Sequence, residues 1–233
     1  MSERGMGEDV YADLRRQMIM EIVAEATETA NHTGRSHFDA RIVDVMSRVP
    51  RHEFVPVELQ AYAYLNRPLP IGYEKTISQP YIVALMTDLL APGDGEVALE
   101  IGAGAGYQAA ILAELVKHVY TVDIIGQLAS AAQRRLQRLG YDNVSVRAGN
   151  GYYGWAEHGP YDKIIVTAAC ELIPPPLLAQ LSPGGRMVIP TGIPENQSLT
   201  LVEKSMNGGI TTREVLPVRF SELEEPDGFA GAA

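Results

Sequence analysis

The segment Glu100-Ile101-Gly102-Ala103-Gly104-Ala105-Gly106-Tyr107 closes an apolar run, Glu96 to Ile101, and opens a helix-length stretch, Tyr107 to Lys117. Glycines at alternate positions let the chain turn sharply and let a ligand approach where a Cβ would collide. The helix that follows offers unpaired N–H groups in its first turn. Strand, glycine turn and helix in that order read as a nucleoside-cofactor loop. A dinucleotide site has the spacing Gly-x-Gly-x-x-Gly, and here the third glycine, Gly106, arrives one position early.

Outward from this loop, strand-length apolar runs alternate with helix-length segments. The strands are predicted at Glu96 to Ile101, His118 to Asp123, Val144 to Ala148, Tyr161 to Thr167 and Gly185 to Pro190, with helices at Tyr107 to Lys117, Ile125 to Gly140 and Pro176 to Leu181. That alternation implies βαβ units and a parallel sheet. Two further runs, Ser198 to Lys204 and Thr211 to Val218, flank Asn207-Gly208-Gly209, a hairpin-turn signal. Toward the N-terminus, apolar residues at helical spacing predict an amphipathic packing helix over residues 8–30. A short helix follows at Ala40 to Ser47, then proline-broken loops through Gly72, then a helix at Pro80 to Leu90. The expected organisation is a single domain over residues 1–233: a helical cap and substrate segment in 1–90, an α/β core in 95–220 and a flexible tail in 221–233.

The chain carries 19 basic and 29 acidic residues, a net charge of −10, with 46% hydrophobic residues. An overall negative field disfavours phosphate backbones and anionic lipid, and no apolar stretch approaches the ~20 residues that a membrane helix needs. The expectation is no nucleic-acid and no membrane partner. The single cysteine, Cys170, allows no internal disulfide and fits a reducing compartment; with the polar start MSERGMGEDV, this predicts a cytoplasmic protein. No metal site is expected, since His52-Glu53 lacks the second histidine of a zinc-protease motif. Cys170 reads as a small buried hydrophobe, and Arg134, Arg135 and Arg138 as a solvated helix face.

Three more strand ends should converge on the glycine loop. Asp123, 17 residues after Gly106, ends a strand where a carboxylate can accept from both ribose hydroxyls, or can instead cap the helix near Ile125. Glu100 can meet a cationic group of a cofactor or be tied up by loop N–H groups. Asn150, in Gly149-Asn150-Gly151, can read an adenine edge or simply tolerate a left-handed turn. Tyr152, Tyr153 and Trp155 can wall that pocket or pack in the core, and Thr167 ends the fourth strand.

The glycine loop resembles motif I of the class I S-adenosylmethionine-dependent methyltransferases. With Val49-Pro50-Arg51-His52-Glu53-Phe54-Val55-Pro56, Pro68-Leu69-Pro70-Ile71-Gly72, Thr76-Ile77-Ser78-Gln79-Pro80-Tyr81-Ile82-Val83-Ala84 and Pro217-Val218-Arg219-Phe220, nearly the whole chain resembles the protein-L-isoaspartate (D-aspartate) O-methyltransferase family. The resemblance implies an α/β, Rossmann-like class I methyltransferase fold: a mostly parallel sheet, an antiparallel C-terminal hairpin and a helical N-terminal cap. It implies S-adenosylmethionine as cofactor, S-adenosylhomocysteine as product, and peptides or proteins bearing isoaspartyl residues as substrates, the methyl ester collapsing to a succinimide in protein repair. Ser78 takes the family's catalytic position. Gly102, Gly104, Gly106, Glu100, Asp123, Asn150 and Thr167 fall on the cofactor side, and Ile77, Ser78, Gln79, Val218 and Arg219 on the substrate side. A monomer is expected.

The chain departs from the family pattern at Asp123 (usually Glu), at Asn150 (usually Asp) and in Ser221 to Glu225. These departures leave two other readings, a carboxyl methyltransferase dedicated to one peptide or small molecule and a weakly active cofactor-binding scaffold. Ser78 by itself also reads as an N-cap for the helix starting at Pro80. The sequence shows no catalytic triad and no paired carboxylates. Transfer to a carboxylate with a pKa near ~4 requires neither, because the nucleophile is already ionised at neutral pH.

Overall fold

The computed structural model describes residues 4–224, with side chains from residue 11 onward. Helix α1 (Arg4–Glu28) is followed by a single turn, α2 (Ala30–Thr33), and by α3 (Ala40–Arg48). Asp39 starts α3 by accepting from the Arg41 N–H at 2.8 Å. After 3-10 turns at Arg51–Phe54 and Val57–Tyr62 comes a small hairpin, β1 (Leu69–Gly72) and β2 (Lys75–Ile77). The prolines there point to loop, yet the chain pairs. Pro70 sits in a two-stranded ribbon, where a missing N–H is tolerated, and the turn residues Tyr73 and Glu74 take φ of 52° and 57°.

Helix α4 (Pro80–Leu90) is apolar almost all round and correspondingly buried. It lies against the sheet, while α1 and α3 pack on its outer side. The α/β part then runs β3 (Val97–Ile101), α5 (Tyr107–Ala113), β4 (His118–Asp123), α6 (Gly126–Arg138), β5 (Val144–Ala148), β6 (Tyr161–Val166), α7 (Pro175–Gln180), β7 (Leu181–Ile193), β8 (Asn196–Lys204) and β9 (Ile210–Val218). The seven strands are ordered β5-β4-β3-β6-β7-β8-β9, parallel from β5 to β7 and antiparallel from β7 to β9. The expected hairpin is thus the outer part of a three-stranded meander, because β7 extends to Ile193 before turning back.

Alternation along the strands supplies two cores. Ala98, Ile165 and Val188 face α4 and join Met18 and Ile22 of α1 in one cluster, so the helical first third and the sheet share a core. Leu99, Ile101, Ile164 and Val166 face the opposite side with Leu177 and Met187. The chain leaves β3 toward β4 and β5, then returns to the other side of β3 at β6. Open α/β sheets bind ligands at such a switch point, outside the carboxyl ends of the strands.

Residues 221–223 of the expected flexible tail are held against the sheet. Ser221 accepts from the Ala169 N–H at 2.8 Å and the Leu223 N–H donates back to Ala169 at 2.6 Å, forming a parallel bridge that lays 221–223 against the end of β6. The rest of that tail, 225–233, lies outside the described residues. Among the described residues no helix is long and apolar enough to cross a membrane.

Candidate functional site

A cavity of about 1020 Å³ opens at the switch point, at the upper end of the ~300–1,000 Å³ usual for ligand sites. Its wall brings together Glu100, Gly102, Gly104, Asp123, Asn150 and Thr167 from the strand ends with Ile77, Ser78 and Gln79 from the β2–α4 junction and Val218 and Arg219 from the end of β9. Gly106 is the exception. It starts α5 with φ of 91°, and a Cβ there would lie 3.2 Å from Leu136 Cδ1 and 3.4 Å from Ala132, so it belongs to the packing of the loop against α6. The alternate-glycine spacing mistakes a helix-packing glycine for a ligand-facing one.

The loop is held from three sides. The Gly104 N–H donates to Asp123 Oδ2 at 2.7 Å, and the Ile125 N–H donates to Asp123 Oδ1 at 2.9 Å. Asp123 therefore both ties the glycine loop and shapes the start of α6, with lone pairs still available on each oxygen. The Thr167 hydroxyl donates to the carbonyls of Ile101 and Gly102 at 3.0 and 2.9 Å. It fills the space beside Gly102, where a Cβ would meet Oγ1 at 2.2 Å and the backbone φ is 94°. Arg135 leaves the solvated face assigned to it and donates to the Ala105 carbonyl at 2.8 Å.

Glu100 is fully buried. Oε2 accepts from the Thr121 hydroxyl, while Oε1 has no partner, so no loop N–H ties it up. Burial pushes its carboxyl up to about 8, with the neighbouring Asp123 adding to the rise. A buried polar atom left without a partner calls for an explanation, and a cationic ligand group supplies one. The residues present thus fit S-adenosylmethionine, whose sulfonium and ammonium are cations and whose ribose would meet Asp123. Asn150 Oδ1 accepts from the Tyr152 N–H at 2.9 Å, which leaves its amide N–H groups for a ligand. Tyr152, Tyr153 and Trp155 do not line the cavity, and Trp155 packs against Tyr120, His158 and the Arg147 guanidinium.

At the other end, the capping reading of Ser78 fails. Gln79 is the N-cap of α4, no side chain caps that helix, and Pro80 occupies its first turn. Ser78 Oγ has no hydrogen-bond partner among the described residues, and the residue lines the cavity. Gln79 Nε2 donates toward the Glu25 carboxylate at 3.3 Å, and Asn66 Nδ2 donates to it at 2.6 Å. Burial raises the Glu25 pKa, against the lowering effect of these two amides. Glu25 of α1, a helix read as packing only, and Thr29 just beyond its end thus form part of the site. Across from them Gln197 holds Phe220 at both ends, its Oε1 accepting from the Phe220 N–H at 2.7 Å and its Nε2 donating to the Phe220 carbonyl at 3.2 Å. Arg219 is exposed at the rim. Among the described residues no group of three or more His, Cys, Asp or Glu is placed to hold a metal ion.

Comparison with known proteins agrees with this geometry. The family model described as protein-L-isoaspartate (D-aspartate) O-methyltransferase matches residues 26–227. Protein-L-isoaspartate O-methyltransferase 2 of Syntrophobacter fumaroxidans is 57% identical over 220 residues, covering 94% of this chain and 89% of the relative. Protein-L-isoaspartate O-methyltransferase 1 of a Polaromonas species is 53% identical, covering 95% of this chain and 94% of the relative. A solved protein-L-isoaspartate O-methyltransferase superposes with a TM-score of 0.75 at 27% identity, covering 91% of this chain and 66% of the other. A Plasmodium falciparum structure solved with S-adenosyl-L-homocysteine shares the fold, with a TM-score of 0.72 at 21% identity and coverage of 92% and 98%. With a family model spanning most of its length and relatives above half identity over nearly all of it, this chain belongs to the protein-L-isoaspartate (D-aspartate) O-methyltransferase family.

Proposed function

We propose that this protein transfers a methyl group from S-adenosylmethionine to the free carboxylate of isoaspartyl residues in peptides and proteins. The observation that carries the reading is the two-ended cavity, with a glycine loop and acidic strand ends on one side and an unpartnered serine hydroxyl on the other. When bound, the cofactor supplies a methyl carbon on a positively charged sulfur leaving group. Glu100 and Asp123 would hold the cationic and ribose parts, with Gly102 and Gly104 allowing close approach and Thr167 fixing the loop. Asn150 would face the adenine. Ser78 would donate to the acceptor carboxylate, with backbone N–H groups near Ile77 and Val218 assisting, while Gln79 and Arg219 border the peptide. No proton needs to move, because the acceptor is ionised at neutral pH. The acceleration would come from holding acceptor oxygen and methyl carbon in line at contact distance, an effect worth up to ~7–11 kcal/mol. The lone cysteine and acidic surface fit a cytoplasmic setting.

Purified protein incubated with methyl-labelled cofactor should place label on an isoaspartyl peptide as a base-labile ester that releases methanol. The matched aspartyl peptide should gain none. Cofactor binding without transfer to any isoaspartyl peptide would overturn this reading in favour of a binding scaffold. Transfer confined to one peptide among many would favour a dedicated enzyme.

A further inference from the structure

Two basic side chains are buried among the described residues. Lys163 is paired with Glu96 at 3.4 Å. Arg51, 0% exposed, has no carboxylate partner. Its Nε donates to the Ala63 carbonyl at 2.8 Å and its Nη2 to the Ser78 carbonyl at 2.7 Å, while Nη1 has no partner. The guanidinium stands 4.8 Å from the centroid of the Tyr107 ring, and Tyr107 lines the cavity with its own buried hydroxyl unpartnered. Desolvation pulls the Arg51 pKa down to about 10, against smaller raising effects from Tyr107 and Tyr64, so it stays charged at neutral pH.

Burying a cation without a counter-ion is costly, and the bonds to Ala63 and Ser78 direct that cost to the wall of the site. This one sits directly behind the Ser78 wall in a molecule whose net charge of −10 repels the acceptor carboxylate. We propose that Arg51 is a positioning residue for the acceptor: it fixes the Ser78 backbone through its carbonyl and places behind that wall the positive charge that selects a carboxylate over a neutral group of the same shape. The proposal rests on Ser78 being the acceptor-side residue. The low-dielectric surroundings let the charge act across the wall where a surface charge would be screened.

The test compares two peptides that differ only in the isoaspartyl carboxylate or its carboxamide. Their affinities are measured by calorimetry on enzyme saturated with S-adenosylhomocysteine, for wild type, Arg51→Met, Arg51→Lys and Ser78→Ala. Wild type should prefer the carboxylate. Arg51→Met should lose on the order of tenfold of that preference, beyond any loss shared by both peptides from releasing the Ser78 carbonyl, and Arg51→Lys should keep the preference. A purely structural role would weaken both peptides equally in both variants, which overturns the proposal. If Arg51→Met does not fold, Arg51→Gln takes its place: loss of the preference there supports the proposal, and an unchanged preference overturns it. Ser78→Ala with unaltered turnover would remove the premise, whereas a slow Ser78→Ala beside an Arg51→Met of unchanged preference would overturn the Arg51 role only.

Discussion

Replacing Asp123 by alanine should weaken cofactor affinity by ~10²–10³-fold, read by calorimetry with S-adenosylhomocysteine. The side chain accepts from Gly104 and Ile125, and alanine leaves both N–H groups without an acceptor, in addition to removing a ribose contact. With the carboxylate gone, those two N–H groups can turn to water in the open cavity but not beneath a bound ribose, so the ~1–3 kcal/mol that each stranded donor costs falls mostly on the bound state, and 1.4 kcal/mol is one decade. Asp123→Asn keeps one acceptor oxygen but turns a donor toward the other N–H, so it should fall in between. An Asp123→Ala protein that binds within threefold of wild type would show that the carboxylate serves the helix start alone.

Ser78→Ala should do the opposite. Turnover should fall ~10–100-fold with cofactor affinity within about twofold of wild type, because a hydrogen bond to a charged group contributes about 1.5–3 kcal/mol and Ser78 holds no part of the glycine loop. Thermal stability should stay near that of wild type, since Ser78 Oγ bonds nothing among the described residues and does not cap α4. Steady-state kinetics beside calorimetry separates the two variants. A Ser78→Ala enzyme with weakened cofactor binding and unchanged turnover would reverse the assignment of the cavity's two ends.

The strand-turn-helix at the glycine loop, the strand ending at Asp123 and the parallel character of the sheet were legible in the sequence because each rests on local periodicity and on glycines at fixed spacing; the strand order around β3 was not. What was not legible depends on partners far along the chain. Arg51 lies in a proline-flanked turn that looks like loop, and only folding brings it to Ser78, 27 residues on. The apolar stripe of α1 predicts which face is buried but not that Glu25, beside that stripe, meets Gln79 and Asn66. Arg135 shares its helix with Arg134 and Arg138, and nothing in the charge pattern distinguishes the one that reaches Ala105. The family resemblance carried Ser78 and the substrate class. The residues alone favoured a cap, and the placement of Gln79 at the helix start removed that alternative.

Methyl transfer by positioning, without a general base, is tested most directly by the pH dependence of the chemical step. Single-turnover transfer to an isoaspartyl peptide should be measured from pH 6 to 9 with cofactor and peptide saturating, because the Glu100 carboxyl, raised to about 8, can alter cofactor affinity within that window. The acceptor, with a pKa near ~4, is ionised throughout, so the rate constant should change by less than about twofold. A rise of about tenfold per pH unit, levelling off at the pKa of a catalytic group, would show that a base must take a proton before the methyl moves.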